Sequence, residues 1–346
     1  MAIIAPSLGI DLGSSNTLVY VSKKAILIDE PTLLIVSGGA KRTLKAIGQD
    51  ARALIGRTTG GDLAVRPLQG GTIKEYRMTE TILRYFMRKA IGASHIIKPE
   101  VFITIPCHVS PVERRVLREA CVSAGARKNA VHLISKPFAS ALGTGLPVFD
   151  AEGSLVVDIG GGTTEVALIS CGGTAASRSI KLGGIKMDEA IIDMIRNEYK
   201  MLIGDNLAEN LKIDYGAAMP LKQDKYIKIR GRDLVTALPQ ISEIPVSKIY
   251  EALSKICEEI VNTIISVLEK APPELSADVL RKGIFLMGGA SQLFGLDHLI
   301  AEKLQLPVTL AKNPTLCAVS GLGKLTENPE LLSRIGSSSI MQSEDI

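Results

Sequence analysis

One short pattern occurs twice in this chain and limits the folds that the chain can adopt. Residues 7–22 read SLGIDLGSSNTLVYVS, and residues 154–170 read SLVVDIGGGTTEVALIS. Each copy contains an apolar stretch that ends near an aspartate, a turn of glycine and small polar residues, and a second stretch of β-forming residues. The pattern predicts a β-hairpin in each copy. A duplicated hairpin indicates two related halves, each with its own sheet, that face one another.

The length and composition are those of a globular protein with two lobes. A chain of 346 residues exceeds the size of one ordinary core. Its five cysteines lie far apart without a CxxC pair, which argues against a zinc site or a disulfide framework and fits a reducing cytoplasm. The formal net charge is +4 and aromatic residues make up 4%, so no nucleic-acid partner is expected. No apolar run reaches the length of a membrane span.

Between the two copies, and after the second, the sequence alternates between strand and helix patterns. Residues 101–106 predict a buried strand, and Ser110, Pro111 and Glu113 predict the capped start of the following helix. Further elements are predicted as helices near 186–203, 205–215 and 247–270, and as a strand, glycine turn and helix at 283–300. The last ten residues are predicted to be a loose polar tail. This alternation predicts an α/β protein.

The turns of the two hairpins suit the binding of an anion. Glycine has no Cβ atom, so backbone N–H groups of such a turn can converge on a phosphate. The turns are Gly13–Ser14–Ser15–Asn16–Thr17 and Gly160–Gly161–Gly162–Thr163–Thr164. Neither is a P-loop, because no Gly-Lys-Ser/Thr follows, and neither is a Rossmann turn, which precedes a helix. The matched pair favours phosphate binding, and the alternative is that each turn only closes its hairpin.

An aspartate precedes each turn. Asp11 and Asp158 converge if the hairpins face each other, and two carboxylates ~6 Å apart repel by about 3 kcal/mol at an effective dielectric of ~20. A hydrated Mg²⁺ ion carried in with phosphates removes that repulsion, since Mg²⁺ favours carboxylate and substrate oxygens. We therefore predict that both aspartates bind Mg²⁺ through water. The alternative is that each aspartate caps its own turn.

Two further segments are candidates for contacts with a nucleotide. Gly288–Gly289–Ala290–Ser291 lies between a strand and a helix, where a turn can pass close under a base or a sugar, although such turns often need glycine for chain geometry alone. Glu209 and Lys212 lie three residues apart on a predicted helix, so both could reach a ribose. An exposed ion pair between these two side chains is the alternative.

Lys136 is an unusual residue for its position. It stands directly before Pro137 in VHLISKPFASALGTGL (131–146), and a proline fits the first position of a helix. Lys136 is therefore predicted to be the N-cap of that helix. The N-terminus of a helix carries partial positive charge, which disfavours a cation there unless an anion is close.

These segments together resemble the MreB family of bacterial actins, within the fold shared by actin, heat-shock-70 proteins and sugar kinases. The resemblance runs from about residue 7 to about residue 326 and includes DLGSSNTLVYV, RPLQGGTI, DIGGGTTEVALIS, GRDLVTALP and MGGASQLFGLD. It implies an α/β actin-like ATPase fold with two related lobes, four subdomains and a central cleft for ATP or ADP with Mg²⁺. The implied lobes are 1–147 plus about 315–346, with a small subdomain at about 33–65, and 148–314, with a small subdomain at about 185–245.

The resemblance also implies roles for single residues. Phosphates are expected at Gly13 to Thr17 and Gly160 to Thr163, the ribose and base at Glu209, Asn210, Leu211 and Lys212, and the other side of the nucleotide at Gly288, Gly289, Ala290 and Ser291. MreB proteins usually have a glutamate where this chain has Lys136, and that glutamate is understood to orient the attacking water with a threonine that matches Thr163. Lysine has three donors and no acceptor. Lys136 is therefore expected to face the γ-phosphate or its water and to leave ATP hydrolysis weak, as would a Lys136 that swings into solvent.

The implied function is that of a filament-forming cytoskeletal protein of bacterial cell shape, whose copies join head to tail into paired protofilaments. A chaperone-type ATPase is disfavoured because no substrate-binding domain follows the nucleotide core. A small-molecule kinase of the same fold is disfavoured because Lys136 stands where a carboxylate base is needed.

The resemblance further implies a place in the cytoplasm, under the inner membrane. Residues 91–97, within LRYFMRKAIGASHIIK (83–98), are predicted to contact lipid. Basic residues next to them favour anionic headgroups by ~1 kcal/mol each. The alternative is a core helix followed by an ordinary loop.

Overall fold

Two mixed β-sheets, each built around one copy of the repeated hairpin, form the centre of the molecule. The computed structural model describes residues 6–39, 42–57, 61–92, 97–221 and 223–341. The first half contains β1 (Ser7–Leu12), β2 (Asn16–Val21), β3 (Ala25–Pro31), β4 (Leu34–Val36), β5 (Leu44–Ile47), α1 (Gln49–Leu54), β6 (Leu63–Val65), β7 (Leu68–Gln69), β8 (Thr72–Ile73), α2 (Tyr76–Ile91), β9 (Glu100–Ile105), α3 (Pro111–Ala124), β10 (Val131–Ser135) and α4 (Lys136–Thr144).

The second half contains β11 (Ser154–Ile159), β12 (Thr164–Ser170), β13 (Gly173–Ile180), α5 (Gly184–Tyr199), β14 (Met201–Leu202), α6 (Asp205–Tyr215), β15 (Tyr226–Asp233), β16 (Pro239–Pro245), α7 (Ser247–Leu268), α8 (Pro273–Lys282), β17 (Ile284–Met287), α9 (Leu296–Leu304), β18 (Val308–Leu310), α10 (Cys317–Glu327) and β19 (Ile340–Met341). Short 3₁₀ turns occur at Gly289–Gln292, Pro314–Leu316 and Pro329–Arg334.

Five strands of the first large sheet, β10-β9-β1-β2-β3, correspond in order to the five strands of the second, β18-β17-β11-β12-β13, which agrees with the duplication predicted from the repeat. The first sheet runs β19-β10-β9-β1-β2-β3, and the second runs β13-β12-β11-β17-β18. In each sheet the repeated hairpin is antiparallel, while β9 runs parallel to β1 and β17 runs parallel to β11. Asp11 lies opposite Leu18 in the first hairpin, and Asp158 lies opposite Glu165 in the second. The predicted α/β class is therefore confirmed.

The first strand of each hairpin is buried along nearly its whole length. Every residue of β11 is buried, and in β1 only the first residue is partly exposed. Strands that are covered on both faces of a sheet read as continuous apolar runs rather than as alternating ones. Asp11 and Asp158 interrupt these runs, and a buried carboxylate requires a partner.

The helix predictions are accurate where a local capping signal exists. Ser110 Oγ accepts a hydrogen bond from the Glu113 N–H at 3.2 Å, and the Glu113 carboxylate accepts one from the Ser110 N–H at 2.8 Å. This capping box begins α3 as predicted. Lys136, in contrast, is the first residue of α4 and not its N-cap, because Ser135 has non-helical backbone angles (φ −54°, ψ 127°) and takes the N-cap position.

The predicted loose tail is partly ordered. Ile340 and Met341 form β19, which pairs antiparallel with β10 at the edge of the first sheet. This prediction was wrong for these two residues because strand pairing with a distant segment leaves no local signal. The remaining residues of the tail, 342–346, lie outside the described part of the chain.

Two smaller sheets lie within the segments predicted to be small subdomains. The sheet β5-β4-β6 uses residues of the segment 33–65, and the sheet β14-β15-β16 uses residues of the segment 185–245. A two-stranded sheet of β7 and β8 lies between the first of these segments and α2. The boundaries of the two lobes stay a prediction.

Helices α4 and α10 join the two large sheets. The apolar cluster around them includes Phe102 and Ile134 from the first sheet and Val156 and Ala167 from the second. Burial on this scale stabilises by roughly 25 cal/mol for each Å² of apolar surface removed from water. The cluster therefore holds the two halves together.

The crossing of these helices leaves no room for side chains. A Cβ atom built on Gly143 would lie 1.9 Å from the Cys317 carbonyl oxygen, and one built on Gly321 would lie 1.9 Å from the Ala139 carbonyl oxygen. Both contacts are with backbone atoms, which cannot rotate away. Glycine at both positions therefore sets the distance between the helices.

We expect Gly321→Ala to destabilise the protein by about 3 kcal/mol or more, because the added methyl group forces α10 away from α4. Urea unfolding of the parent and the variant measures this loss. Gly204→Ala is the control, since a Cβ atom on Gly204 meets no atom within 4 Å. If Gly321→Ala unfolds at the same urea concentration as the control, the close crossing does not exist in solution.

Candidate functional site

A cavity of about 490 Å³ lies where the two repeated hairpins meet. Its volume is in the range of small-molecule sites. The residues of the sequence prediction that line it are Asp11, Gly13, Ser14, Ser15, Asn16, Lys136, Asp158, Gly160, Gly161, Gly162, Thr163, Glu209, Lys212, Gly288, Gly289 and Ala290. The structure thus brings segments from both halves of the chain to one place.

The two glycine turns contact each other in this cavity. A Cβ atom built on Gly161 would lie 2.0 Å from Ser15 Oγ, and one built on Gly162 would lie 2.3 Å from Ser14 Oγ. Only glycine permits this approach. The backbone N–H groups of these four residues have no hydrogen-bond partner among the residues that the structure describes. Unpaired N–H groups on two facing turns are suited to an anion such as a phosphate chain.

Lys136 lies beside the second of these turns. Its Nζ is 3.4 Å from Asp11 Oδ1, and its side chain is only 17% exposed. A Cβ atom built on Gly160 would lie 3.8 Å from the same Nζ. The structure therefore does not support the alternative in which Lys136 swings into solvent.

Three buried carboxylates act on the Lys136 ammonium group. Burial by itself lowers the pKa of Lys136, but the negative charges of Asp11, Asp158 and Glu165 outweigh burial and hold that pKa above its ordinary value. The pKa of Asp158 is raised, chiefly by burial, while the Lys136 charge and a hydrogen bond from Ser140 act in the opposite direction. Lys136 therefore carries a positive charge that compensates the buried carboxylates.

Asp11 and Asp158 also have neutral partners. Thr104 Oγ1 donates a hydrogen bond to Asp11 Oδ1 at 2.7 Å, and Ser140 Oγ donates one to Asp158 Oδ2. In the described ranges of the chain, no three His, Cys, Asp or Glu side chains are grouped so that they could hold a metal ion. A Mg²⁺ ion ~5 Å from the Lys136 ammonium group is repelled by about 7 kcal/mol at an effective dielectric of ~20. The predicted Mg²⁺ position therefore does not fit these residues while Lys136 lies beside them.

Glu165 is a buried carboxylate that the sequence analysis did not single out. It is 1% exposed, accepts a hydrogen bond from the Cys107 N–H at 2.8 Å, and accepts one from Thr163 Oγ1 at 3.3 Å. Burial raises the pKa of Glu165 to about 7, although the Cys107 hydrogen bond lowers it. A signal was present in the repeat, because the first copy has Leu18 where the second has Glu165. Glu165 is thus a charged residue at a position of β12 where the first copy of the repeat has an apolar one, and both faces of β12 are buried.

Glu209 and Lys212 line the cavity, but each pairs with a different side chain. Arg52 contacts Glu209 Oε2 at 2.7 Å, and Lys212 Nζ lies 2.8 Å from Asp188 Oδ1. These contacts replace the ion pair between Glu209 and Lys212 that the sequence left open. Since Arg52 belongs to α1 and Glu209 to α6, the first contact links the two halves of the chain.

Four predicted contact residues do not line the cavity. Thr17 is buried and shares a hydrogen bond with another buried threonine at 2.8 Å. Ser291 is buried and donates to a carbonyl of its own turn at 2.7 Å. Asn210 is exposed, while Leu211 lies in the apolar core. A helix turns by about 100° at each residue, so the two residues between Glu209 and Lys212 face elsewhere.

We predict that Glu165→Gln removes a pH-dependent loss of stability. The pKa of Glu165 is raised to about 7 in the folded protein, whereas that of an unfolded glutamate is about 4.3. The folded state thus retains a proton that the unfolded chain has released, so this stabilisation is full below the unfolded value and is lost as pH rises through 7. The melting temperature of the variant should therefore rise relative to that of the parent from about pH 5 to about pH 8.

Glu119→Gln is the matched control, because Glu119 is exposed and pairs only with Arg115 at the surface. Its melting temperature should stay at a constant difference from that of the parent over the same pH range. A constant difference for Glu165→Gln as well would show that Glu165 does not retain a proton in the folded state.

Comparison with solved structures identifies the fold. MreB5 of Spiroplasma citri bound to ADP superposes with a TM-score of 0.87 at 30% identity, over 96% of this chain and 98% of that one. The MreB5 structure bound to AMPPNP gives the same TM-score at 31% identity. The MamK double helical filament has a TM-score of 0.77 at 20% identity, over 93% of this chain and 98% of that one. The predicted actin-like fold is therefore confirmed.

Comparison of sequences identifies the family. The profile of the MreB/Mbl protein family matches residues 5–334. The cell shape-determining protein Mbl of Bacillus subtilis is 39% identical over 328 residues, which are 95% of this chain and 98% of the relative. The cell shape-determining protein MreB of Escherichia coli is 40% identical over 324 residues, which are 92% of this chain and 93% of the relative. With matches along nearly its whole length, this chain belongs to the MreB/Mbl family.

Proposed function

We propose that this chain is a nucleotide-dependent, filament-forming cytoskeletal protein that takes part in determining cell shape. Its relatives of 40% identity are named cell shape-determining proteins, and MreB5 has been solved with ADP and with AMPPNP. The observation that carries the proposal is the pair of facing glycine turns in the cavity. Within the described part of the chain, the N–H groups of Ser14, Ser15, Gly161 and Gly162 have no hydrogen-bond partner, so they are free to bind an anion. Membership of the family favours this function over a small-molecule kinase or a chaperone-type ATPase.

The proposed ligand is ATP or ADP, with its phosphate chain at the two glycine turns. Gly13 to Asn16 supply the first turn, and Gly160 to Thr163 supply the second. Glu209 and Lys212 provide polar groups in the wall for the ribose, and the Gly288–Gly289–Ala290 backbone provides a flat surface for the base. These segments come from both halves of the chain, so nucleotide binding is coupled to the relation between the two sheets.

Copies of the chain join head to tail into paired protofilaments in this proposal. MamK, a protein of the same fold, has been solved as a double helical filament. The proposed compartment is the cytoplasm, because all five cysteines are free and a reducing compartment keeps them so.

Contact with the inner face of the membrane is a further part of the proposal. Helix α2 ends at Ile91 with Arg88 and Lys89 in its last turn, next to the predicted segment 91–97. Residues 93–96 of that segment lie outside the described residues. Across the ranges given above, no helix has both the length and the apolar character that crossing a bilayer demands. Co-sedimentation with anionic liposomes tests this contact.

ATP hydrolysis is proposed to be weak. A charged lysine has no acceptor atom, so Lys136 cannot take a proton from water or orient water as a carboxylate does. Thr163, the other residue expected to hold the water, donates its hydroxyl to Glu165 instead. The Lys136 ammonium group and the Thr163 hydroxyl therefore both interact with buried carboxylates, Asp11 and Glu165 respectively.

We expect electron micrographs of negatively stained protein to show paired filaments when ATP is present. The phosphate chain bridges the two glycine turns, which come from different halves of the chain, and holds those halves in the conformation that assembles. Protein without nucleotide is the control and should form fewer and shorter filaments. Single particles in the presence of ATP, ADP and no nucleotide alike would contradict the proposed function.

Lys136→Glu should raise the steady-state rate of phosphate release at saturating ATP and Mg²⁺. Carboxylate assistance to water attack is worth about 10²–10⁴-fold, and a partial gain of roughly 10-fold is expected because the surrounding residues are adapted to a lysine. Lys136→Met is the matched control, since it removes the ammonium group without adding a carboxylate, and it should stay slower than Lys136→Glu. The prediction is wrong if Lys136→Glu binds ATP normally and releases phosphate no faster than the parent.

A further inference from the structure

Lys136 places a permanent positive charge at the phosphate end of the cavity. Its Nζ lies 3.4 Å from Asp11 Oδ1 and beside the Gly160 turn, and it is attracted by Asp158 and Glu165 as well. We propose that the Lys136 ammonium group takes the place of Mg²⁺ in this cavity, so that the chain binds ATP or ADP with an affinity nearly independent of Mg²⁺. This inference rests on the proposed nucleotide function and specifies the cation that balances the phosphates.

The charge balance of the site supports the proposal. Without Lys136, the phosphate chain would meet Asp11, Asp158 and Glu165, which are all buried, and among the described residues Lys136 is the cation that acts on Asp158 and Glu165. An ammonium group is a compact point charge with three donors. The group forms an ion pair with Asp11 at 3.4 Å and can also donate to phosphate oxygens, which lysine binds as a point charge.

The backbone of Lys136 cannot withdraw to admit a metal ion. Lys136 is the first residue of α4, and Phe138 and Ala139 in the same turn have no exposed surface. The crossing of α4 with α10 at Gly143 and Gly321 holds the helix in place. Since the ammonium group and a divalent cation repel each other at close range, the position cannot hold both.

Titration calorimetry with AMPPNP as the probe tests the proposal, in excess MgCl₂ and again in EDTA. We expect the Kd of the parent to differ by less than about threefold between the two conditions. Lys136→Glu places a fourth carboxylate in the cluster, so its affinity should fall by about 100-fold or more in EDTA. Lys136→Met removes the ammonium group without adding a charge, so its affinity for AMPPNP in EDTA should fall by about tenfold.

The control is Lys248→Met, which removes a lysine that pairs with Glu198 and Glu251 away from the cavity. Its affinity should match that of the parent in both conditions. Circular dichroism checks that each variant is folded. If Lys136→Glu does not fold, Lys136→Met still tests the loss of the ammonium group.

A second readout uses Mg²⁺ alone, without nucleotide. Since Lys136 already compensates the carboxylates, about 10 mM MgCl₂ should leave the melting temperature of the parent unchanged and raise that of Lys136→Glu. A rise for the parent equal to that for the variant would show that Mg²⁺ and Lys136 do not share a position.

The possible failures are distinguishable. A parent that binds AMPPNP in MgCl₂ and loses more than about tenfold of its affinity in EDTA overturns this inference and leaves the proposed function intact. Variants at position 136 that remain independent of Mg²⁺ overturn it as well. A parent that binds AMPPNP in neither condition overturns the proposed function and this inference with it.

Discussion

The structure depends on how charge is balanced where its two large sheets meet. Asp11 and Asp158 stand near the ends of buried strands from different sheets, and buried carboxylates are costly without a cation. Lys136 supplies that cation from the first residue of α4. Because α4 also packs on α10 between the sheets, one helix both joins the two halves and neutralises the charge between them.

Backbone contacts fix the geometry in which this balance is possible. Gly143 and Gly321 allow α4 and α10 to touch, and Gly161 and Gly162 allow the two hairpin turns to touch. At each point a single methyl group would separate elements that must be close. The shape of the cavity therefore depends on two close contacts that glycine permits, one between helices and one between turns. These contacts restrict the positions of the polar side chains that line the cavity.

The exchange of a carboxylate for an ammonium group at position 136 links two properties that are usually considered separately. The family resemblance implies a glutamate at this position, which would orient water and add negative charge to the site. A lysine cannot orient water in that way, and it adds the positive charge that the neighbouring carboxylates need. Weak hydrolysis and a reduced need for Mg²⁺ are thus proposed to arise from the same side chain.

The sequence by itself determined the elements whose signals are local. The repeated hairpins, the capping box of Ser110 and Glu113, and the α/β class all follow from patterns within about 20 residues, and the structure agrees with each of them. The facing of Glu209 and Lys212 into the cavity also follows from helical spacing. Asn210 and Leu211, which the family resemblance had included, do not line the cavity in the structure.

Only the tertiary structure decided which groups Lys136 and Glu165 contact. Lys136, the first residue of α4, meets Asp11 of β1, and Glu165 accepts a hydrogen bond from the Cys107 N–H in the other half of the chain. Likewise, Ile340 pairs with a strand that lies far away in sequence. Contacts of this kind form when distant segments pack together, and their energy depends on burial and on distances that no local pattern encodes. The sequence could therefore predict that charged residues gather in a cleft, whereas the partner of each charge, and with it the identity of the balancing cation, required the folded chain.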